Sequence, residues 1–413
     1  MTEFNGLRYF EVEFAADGSL QRDGGLPGAV AGGGIEDLFV FSHGWNNSAG
    51  SARDMYADMF GQLAGLLGDR LGSSAAVGVF WPSLLFPEDD PTSGSQTASS
   101  GATLAEALAP AFPDQQDDLH QLGKLLDTQP QDPAELERFH SLAKGLVTTP
   151  TLAAEDSGES GALDANTASV FGHAASMSKL PVNAAQGVGN PFTMLWHGGR
   201  EVLRTLSYYE MKNRAGVVGK QGLGPLIGSL SPVPRVHLMG HSFGARLVSF
   251  ALTGLGTVDR TDASPVKSLF LVQGAFSHFA FADPMPIDHG RSGVLADFAG
   301  LIDGPMLATF TSHDRAVGWW YPSASMLKHE DSQAADDLMY RWGAMGHDGF
   351  QMEGTVTMPL GPAHQAYGFE AGRRYLLDSN AIICTNQSAF SGAHSDIRHP
   401  EVLWALASAA GVS

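Results

Sequence analysis

The fifteen residues Val236–Phe250, VHLMGHSFGARLVSF, constrain the fold of this chain more than any other stretch. An apolar run ends at Gly240, and an apolar stretch of helical character begins at Phe243. To pass from strand to helix within Gly240-His241-Ser242-Phe243-Gly244, the chain has to turn so tightly that the residues two positions from Ser242 lack side chains. The serine at the apex is held in a strained conformation with its hydroxyl clear of the strand end. The N–H of Phe243 opens the helix and faces any negative charge that develops beside Ser242. The ordinary alternative is a strand–helix turn with no chemistry.

Such a turn belongs to a chain in which strands and helices alternate, and the rest of the sequence has that pattern. Short apolar runs that end in turn residues predict strands at LRYFEVEF (an edge or leading strand), EDLFVFSHG, AAVGVFWPS, VHLMG, VKSLFLVQG, GPMLATFTS and NAIICTN. In the segment beginning at Ser51, Met55, Met59, Leu63 and Leu66 recur at helical spacing. HPEVLWALASAA reads as a closing helix with Pro400 in its first turn. Strands apolar throughout imply an α/β fold, a mostly parallel central sheet flanked by helices on both faces. In such sheets function gathers at the carboxyl ends of the strands, where SHGWNN, GHSFG and SHDR all fall.

The domain reading is a core formed by 1–83 and 196–413, interrupted by an acidic cap- or lid-like insertion at 84–195. That insertion holds fifteen acidic residues against four basic ones, a net of −11 within a chain of 413 residues and net charge −20. DDPTSGSQTASSGATLA and AAEDSGESGALDANTAS have the composition of flexible segments, whereas DLHQLGKLL and AELERFHSLAKGLV suit short helices. A surface insertion with no catalytic role is the alternative to a lid. A second insertion at 315–375 carries Trp319, Trp320, Tyr321, Met326, Met339, Tyr340 and Trp342, a cluster that fits core packing or an apolar wall.

A serine hydroxyl attacks an acyl group only with a general base, and the base needs a carboxylate to orient it. Both belong on loops after later strands. Asp314, just past the strand in MLATFTSHD, is the candidate acid. Asp283 is its competitor, and Asp303 stands at the wrong end of the strand. His394, within a Ser/Gly loop after the last predicted strand, is the candidate base, while His399 precedes Pro400 and suits a structural role. His313 and His241 also read as structural, His241 packing under the turn. The oxyanion hole needs a second N–H from the loop after an early strand. In FVFSHGWNN, His43-Gly44 turns the chain and the N–H of Trp45 is the candidate donor beside that of Phe243, with Asn46 as the fallback.

With Trp45, Ser242, Asp314 and His394 in that order, the chain resembles the α/β-hydrolase superfamily over about 35–83, 200–275, 305–315 and 380–410. More narrowly, VFWPS, SYYEMKNRAGVVG, RVHLMGHSFGARLVS and GAHSDIRHPEV look like a group of bacterial serine hydrolases similar to lipases and esterases. The resemblance implies an eight-stranded sheet, a Ser-His-Asp triad and neither metal nor organic cofactor. The two insertions depart from the superfamily's plain pattern, which leaves the substrate open.

The expected activity is hydrolysis of a small-molecule or lipid-like carboxylic ester through an acyl-serine. Amidase, thioesterase and acyltransferase chemistry use the same residues. An acyltransferase with this elbow is expected to carry a Gly-Gln-Gly segment near the N-terminus and a different fold, which the sequence lacks. A non-catalytic binding module is the remaining alternative, though every triad role is filled. Phe276, Phe279 and Phe281 are candidates for lining an acyl pocket, with core packing as the other reading. The negative charge argues against nucleic acid or anionic lipid as the main partner. No run of about 18 apolar residues marks a membrane span. No signal-peptide pattern opens the chain, so a cytoplasmic location is the default, with a signal-less export route left open. The single cysteine, Cys384, excludes an internal disulfide and reads as a buried strand residue. Oligomeric state is open.

Overall fold

In a computed structural model the six residues of β4 (Asp37–Ser42) and the seven of β5 (Ser74–Phe80) are all buried. The structure describes residues 2–45, 47–83, 86, 100–150, 152–153, 166–177, 191–256, 264–320, 340–386 and 391–412. Strands buried throughout need cover on both faces, and alternation sorts their side chains. Leu38 and Val40 enter one apolar cluster, Phe39 and Phe41 the other.

The described strands form one ten-stranded sheet in the order β1-β2-β5-β4-β6-β7-β8-β10-β9, with β3 paired to β2. The remaining strands are β1 (Thr2–Phe4), β2 (Leu7–Phe14), β3 (Leu20–Arg22), β6 (Arg235–His241), β7 (Val266–Val272), β8 (Met306–Phe310), β9 (Thr355–Pro359) and β10 (Arg374–Asp378). From β2 to β9 every neighbouring pair is parallel, and only β1 and β3 run antiparallel to β2. The fold is therefore a mixed α/β one with a mostly parallel sheet flanked by helices. It carries ten strands rather than the eight that the resemblance implies.

The helices in chain order are α1 (Leu26–Ala31), α2 (Ala49–Leu66), α3 (Gly101–Leu108), α4 (Gln116–Thr128), α5 (Pro133–Gly145), α6 (Thr167–Met177), α7 (Pro191–Val218), α8 (Gly224–Ser229), α9 (Phe243–Ala251), α10 (Met345–Asp348) and α11 (Pro400–Ala409). On one face α2 and α11 pack together: Met55, Met59 and Leu63 meet the cluster that holds Leu403, Trp404 and Leu406. Ser48 caps α2 by accepting from the Ser51 N–H at 3.0 Å, and Pro400 sits in the first turn of α11. On the other face α9 and α7 pack against the sheet, and α3–α6 extend the same apolar cluster through Leu104, Leu122, Phe139 and Phe171. The described part of the 84–195 insertion is thus helical and shares its apolar interior with the sheet. The two segments expected to be flexible lie largely outside the described residues, as do Tyr321, Met326 and Met339.

Buried Glu210 of α7 ties that helix to the insertion. Its carboxylate accepts from the Thr148 and Thr149 N–H groups, both at 2.9 Å, and from Arg214 at 3.1 Å, while Arg214 donates to the Pro82 carbonyl.

Three expectations change. LRYFEVEF is β2, an interior strand between β5 and the short edge strands. NAIICTN is not a strand: the last buried strand is β10, and Ile382 and Ile383 turn back by donating to the Ser379 carbonyl at 3.0 and 2.8 Å. Ile383 is buried by that turn, but Cys384 beyond it is exposed rather than buried. Within 315–375, β9 extends the sheet as its final strand. No helix among the described residues is long and apolar enough to cross a membrane.

Candidate active site

Ser242 stands between β6 and α9 with φ 57° and ψ −123°, in the left-handed region that side chains rarely occupy. The space around it shows why the flanking residues are glycines. A methyl group on Gly240 would overlap the backbone of Gly244 and Ala245, and one on Gly244 would overlap the carbonyls of Ser42 and His43. The first turn of α9 is thereby set directly on the end of β4. Phe243, the first residue of the helix, has no intrahelical acceptor for its N–H.

The same crowding brings the loop after β4 to the serine. A Cβ on Gly44 would collide with that of Ser242, so the chain between His43 and Trp45 passes against the nucleophile candidate. The loop is fixed from behind. The His43 N–H donates to the Tyr56 hydroxyl at 2.9 Å, its carbonyl accepts from the Trp81 indole at 3.2 Å, and its ring stacks on that of Trp81. Trp45 packs among Phe86, Tyr208 of α7 and Phe243, with ring centres 6.0 to 6.2 Å away. Asn46 lies outside the described residues.

Asp314 follows β8, and His394 lies on the loop before α11. A short antiparallel zipper joins the two loops. Arg315 N–H donates to the Ser391 carbonyl at 3.2 Å, and Ala393 N–H donates to the His313 carbonyl at 3.0 Å. The zipper sets Nδ1 of His394 2.6 Å from Oδ2 of Asp314, a carboxylate 1% exposed. Oδ2 also accepts from the Gln273 amide at 2.8 Å, and Oδ1 accepts from the Val317 N–H at 3.1 Å. The Gln273 amide and the Val317 N–H can only donate to the Asp314 carboxylate, and Nδ1 of His394 donates to it in the tautomer that carries its proton there. Asp283, the competing acid, instead accepts from the Ser292 hydroxyl, and Asp303 pairs with Lys267.

His241 links His394 to the turn at Ser242. Its Nε2 donates to the His394 carbonyl at 2.8 Å, and the two rings are 4.8 Å apart. Burial pushes the His241 imidazole down to about 3 and that of His43 to about 4, so both are neutral at pH 7. Among the described residues no hydrogen bond joins Ser242 Oγ to Nε2 of His394, and the two residues are 5% and 8% exposed. His399 precedes α11 and bonds Asp396, whose other oxygen accepts from the N–H groups of Cys384 and Thr385.

The phenylalanines of the acyl-pocket expectation turn inward. Phe276 is 0% exposed, and Phe279 and Phe281 are each 1% exposed. Consecutive turns after β7, with Ala280 donating to Ser277 and Ala282 to Phe279, wind the chain so that these rings pack into the interior. Phe281 meets Phe350, and Phe279 meets Tyr340. They form core, the other of the two readings, whereas Trp45 is only partly buried and its neighbours Phe86, Tyr208 and Phe243 are buried. Sequence reasoning missed Gln273 and the His241–His394 bond. The position of Gln273 directly after an apolar strand, at the carboxyl edge, is the signal that marks it.

Among the described residues no group of three or more His, Cys, Asp or Glu is arranged to hold a metal ion. Comparison with protein-family models, with curated proteins and with solved structures finds no match. The architecture is that of an α/β protein with a mostly parallel sheet, its polar constellation gathered at the carboxyl ends of β4, β6, β7 and β8.

Proposed function

We propose that this chain is a serine hydrolase of the α/β-hydrolase type that cleaves carboxylic esters through an acyl-serine. The observation that carries the reading is the buried 2.6 Å pair of His394 and Asp314, tied through the His394 carbonyl to the residue before the strained Ser242. Nε2 of His394 takes the Ser242 proton as Oγ bonds to the ester carbonyl carbon. Asp314 holds the imidazole tautomer and balances the imidazolium. The N–H groups of Trp45 and Phe243 receive the oxyanion, each contributing about 3 kcal/mol to barrier lowering. The imidazolium returns its proton to the departing alkoxide. Water, deprotonated by the same nitrogen, then releases the acid and restores Ser242. The exposed part of Trp45 favours an apolar acyl or alkyl group beside the nucleophile.

The test is a chain-length series of p-nitrophenyl esters, with the anilide and thioester analogues alongside, on the wild type and Ser242→Ala. Turnover in the variant is expected to fall by roughly 10⁴-fold or more with the thermal midpoint preserved. Ester hydrolysis that survives in Ser242→Ala rules the mechanism out. Faster cleavage of the anilide or thioester replaces the ester as substrate class and leaves the mechanism standing.

A further inference from the structure

We infer that Gln273 is a positioning residue for the acid, holding Asp314 in the plane that His394 requires. The inference rests on the triad reading above.

Gln273 directly follows β7 with φ 46°, a conformation in which a residue other than glycine is strained by about 1–3 kcal/mol. Its side chain is fully buried and hydrogen-bonded at both ends. The Thr309 hydroxyl accepts from the Gln273 N–H at 2.9 Å and donates to Oε1 at 2.8 Å. Nε2 reaches Oδ2 of Asp314 at 2.8 Å and the Gly346 carbonyl at 3.1 Å. Those two partners can only accept. A reversed amide would set Oε1 against a carboxylate and a carbonyl, so the chemistry of the partners decides that the NH₂ faces Asp314.

Asp314 thus has three fixed donors, with Gln273 and His394 converging on Oδ2 and Val317 on Oδ1. Without the amide only Val317 and His394 hold the carboxylate, and the group gains freedom to rotate about its Cβ–Cγ bond. Catalysis is sensitive to such freedom, because an error of about 1 Å in a reacting group lowers rates by up to about 10²-fold. Thr309 sits one step further out, orienting the amide that orients the acid.

The test uses Gln273→Met, which keeps the unbranched shape and removes the donor, and Thr309→Val, a milder change that frees the amide. In both, kcat for a p-nitrophenyl ester is expected to fall while KM stays close to wild type, by about tenfold to a hundredfold for Gln273→Met and less for Thr309→Val. The downfield proton resonance of the Nδ1–H of His394, assigned by its absence in Asp314→Ala, is expected to broaden or vanish in Gln273→Met. A sharp, unshifted resonance with wild-type kcat in a folded Gln273→Met protein, or in Thr309→Val should that variant alone fold, overturns the assignment. Loss of activity in Ser242→Ala alongside such a result would leave the triad intact and remove Gln273 alone.

Discussion

Nδ1 of His394 lies 2.6 Å from Oδ2 of Asp314, across a chain separation of 80 residues. In an Asp314→Asn variant the amide can meet the imidazole with its NH₂ group, which forces the proton onto Nε2, the nitrogen needed as base. The expected result is a fall in kcat of about 10⁴-fold with little loss of thermal stability. Steady-state kinetics and a melting curve on one preparation check both halves. A near-normal rate would remove Asp314 from the mechanism.

Gly44 touches Ser242 so closely that any Cβ there must push Ser242 or the loop after β4 aside. Gly44→Ala is expected to lower kcat by at least about tenfold. Gly50→Ala, in the first turn of α2 where the nearest atom is 3.6 Å from the added methyl, should leave the rate alone. Gly240→Ala and Gly244→Ala meet backbone rather than a movable side chain. Each should destabilise the protein by about 1–3 kcal/mol or more, read as a lower denaturation midpoint.

Burial holds His43 near 4 and His241 near 3, against an ordinary 6.5. Below about 6.5 the unfolded chain takes up protons that the folded rings refuse. The stability that the neutral rings contribute is therefore complete above pH 6.5 and drains as the pH falls, until about 4 for His43 and about 3 for His241. The slope is about 1.4 kcal/mol per pH unit for each histidine. Urea midpoints measured from pH 7.5 to 4.5 should fall steadily, and more shallowly in His241→Gln. Parallel curves for the two proteins would contradict the burial of that ring.

Asp37 lies at the opposite end of the sheet from the site, 0% exposed. It accepts from Arg235 at 2.8 and 2.7 Å and from His237 at 3.1 Å, and it forms an ion pair with Arg70 at 2.8 Å. Removing the carboxylate leaves the buried His237 without that partner, while the Arg235 and Arg70 side chains, 46% and 24% exposed, turn to water. Asp37→Ala should lose about 1–3 kcal/mol of stability while kcat per folded molecule stays unchanged. A rate defect at full stability would mean that this end of the sheet reaches the chemistry.

Central strands were legible because burial on both faces writes an uninterrupted apolar run. β9 was not, since TVTMP on the outer edge is only partly buried and carries no such run. The Ile382-Ile383 pair misled for the converse reason: it is apolar because a turn buries Ile383, not because the segment pairs with a neighbour. Asp314 and His394 could be placed at strand ends by the order of motifs. The choice of Asp314 over Asp283 became a fact of geometry only once the 313–315 and 391–393 segments were paired.

By itself the sequence determined the turn at Ser242, because the glycines, the strand before it and the helix after it satisfy a steric requirement that lies within a few residues. Tertiary structure alone decided what surrounds that turn. Backbone hydrogen bonds join the Asp314 and His394 loops, and such bonds carry no side-chain code. The Gln273 amide meets Asp314 because β7 and β8 are neighbours in register, and Phe276, Phe279 and Phe281 turn inward because the chain after β7 is wound by its own turns. Local sterics are written in adjacent residues. The groups that surround Ser242 are set by how parallel strands line up, and that alignment is a property of the whole sheet.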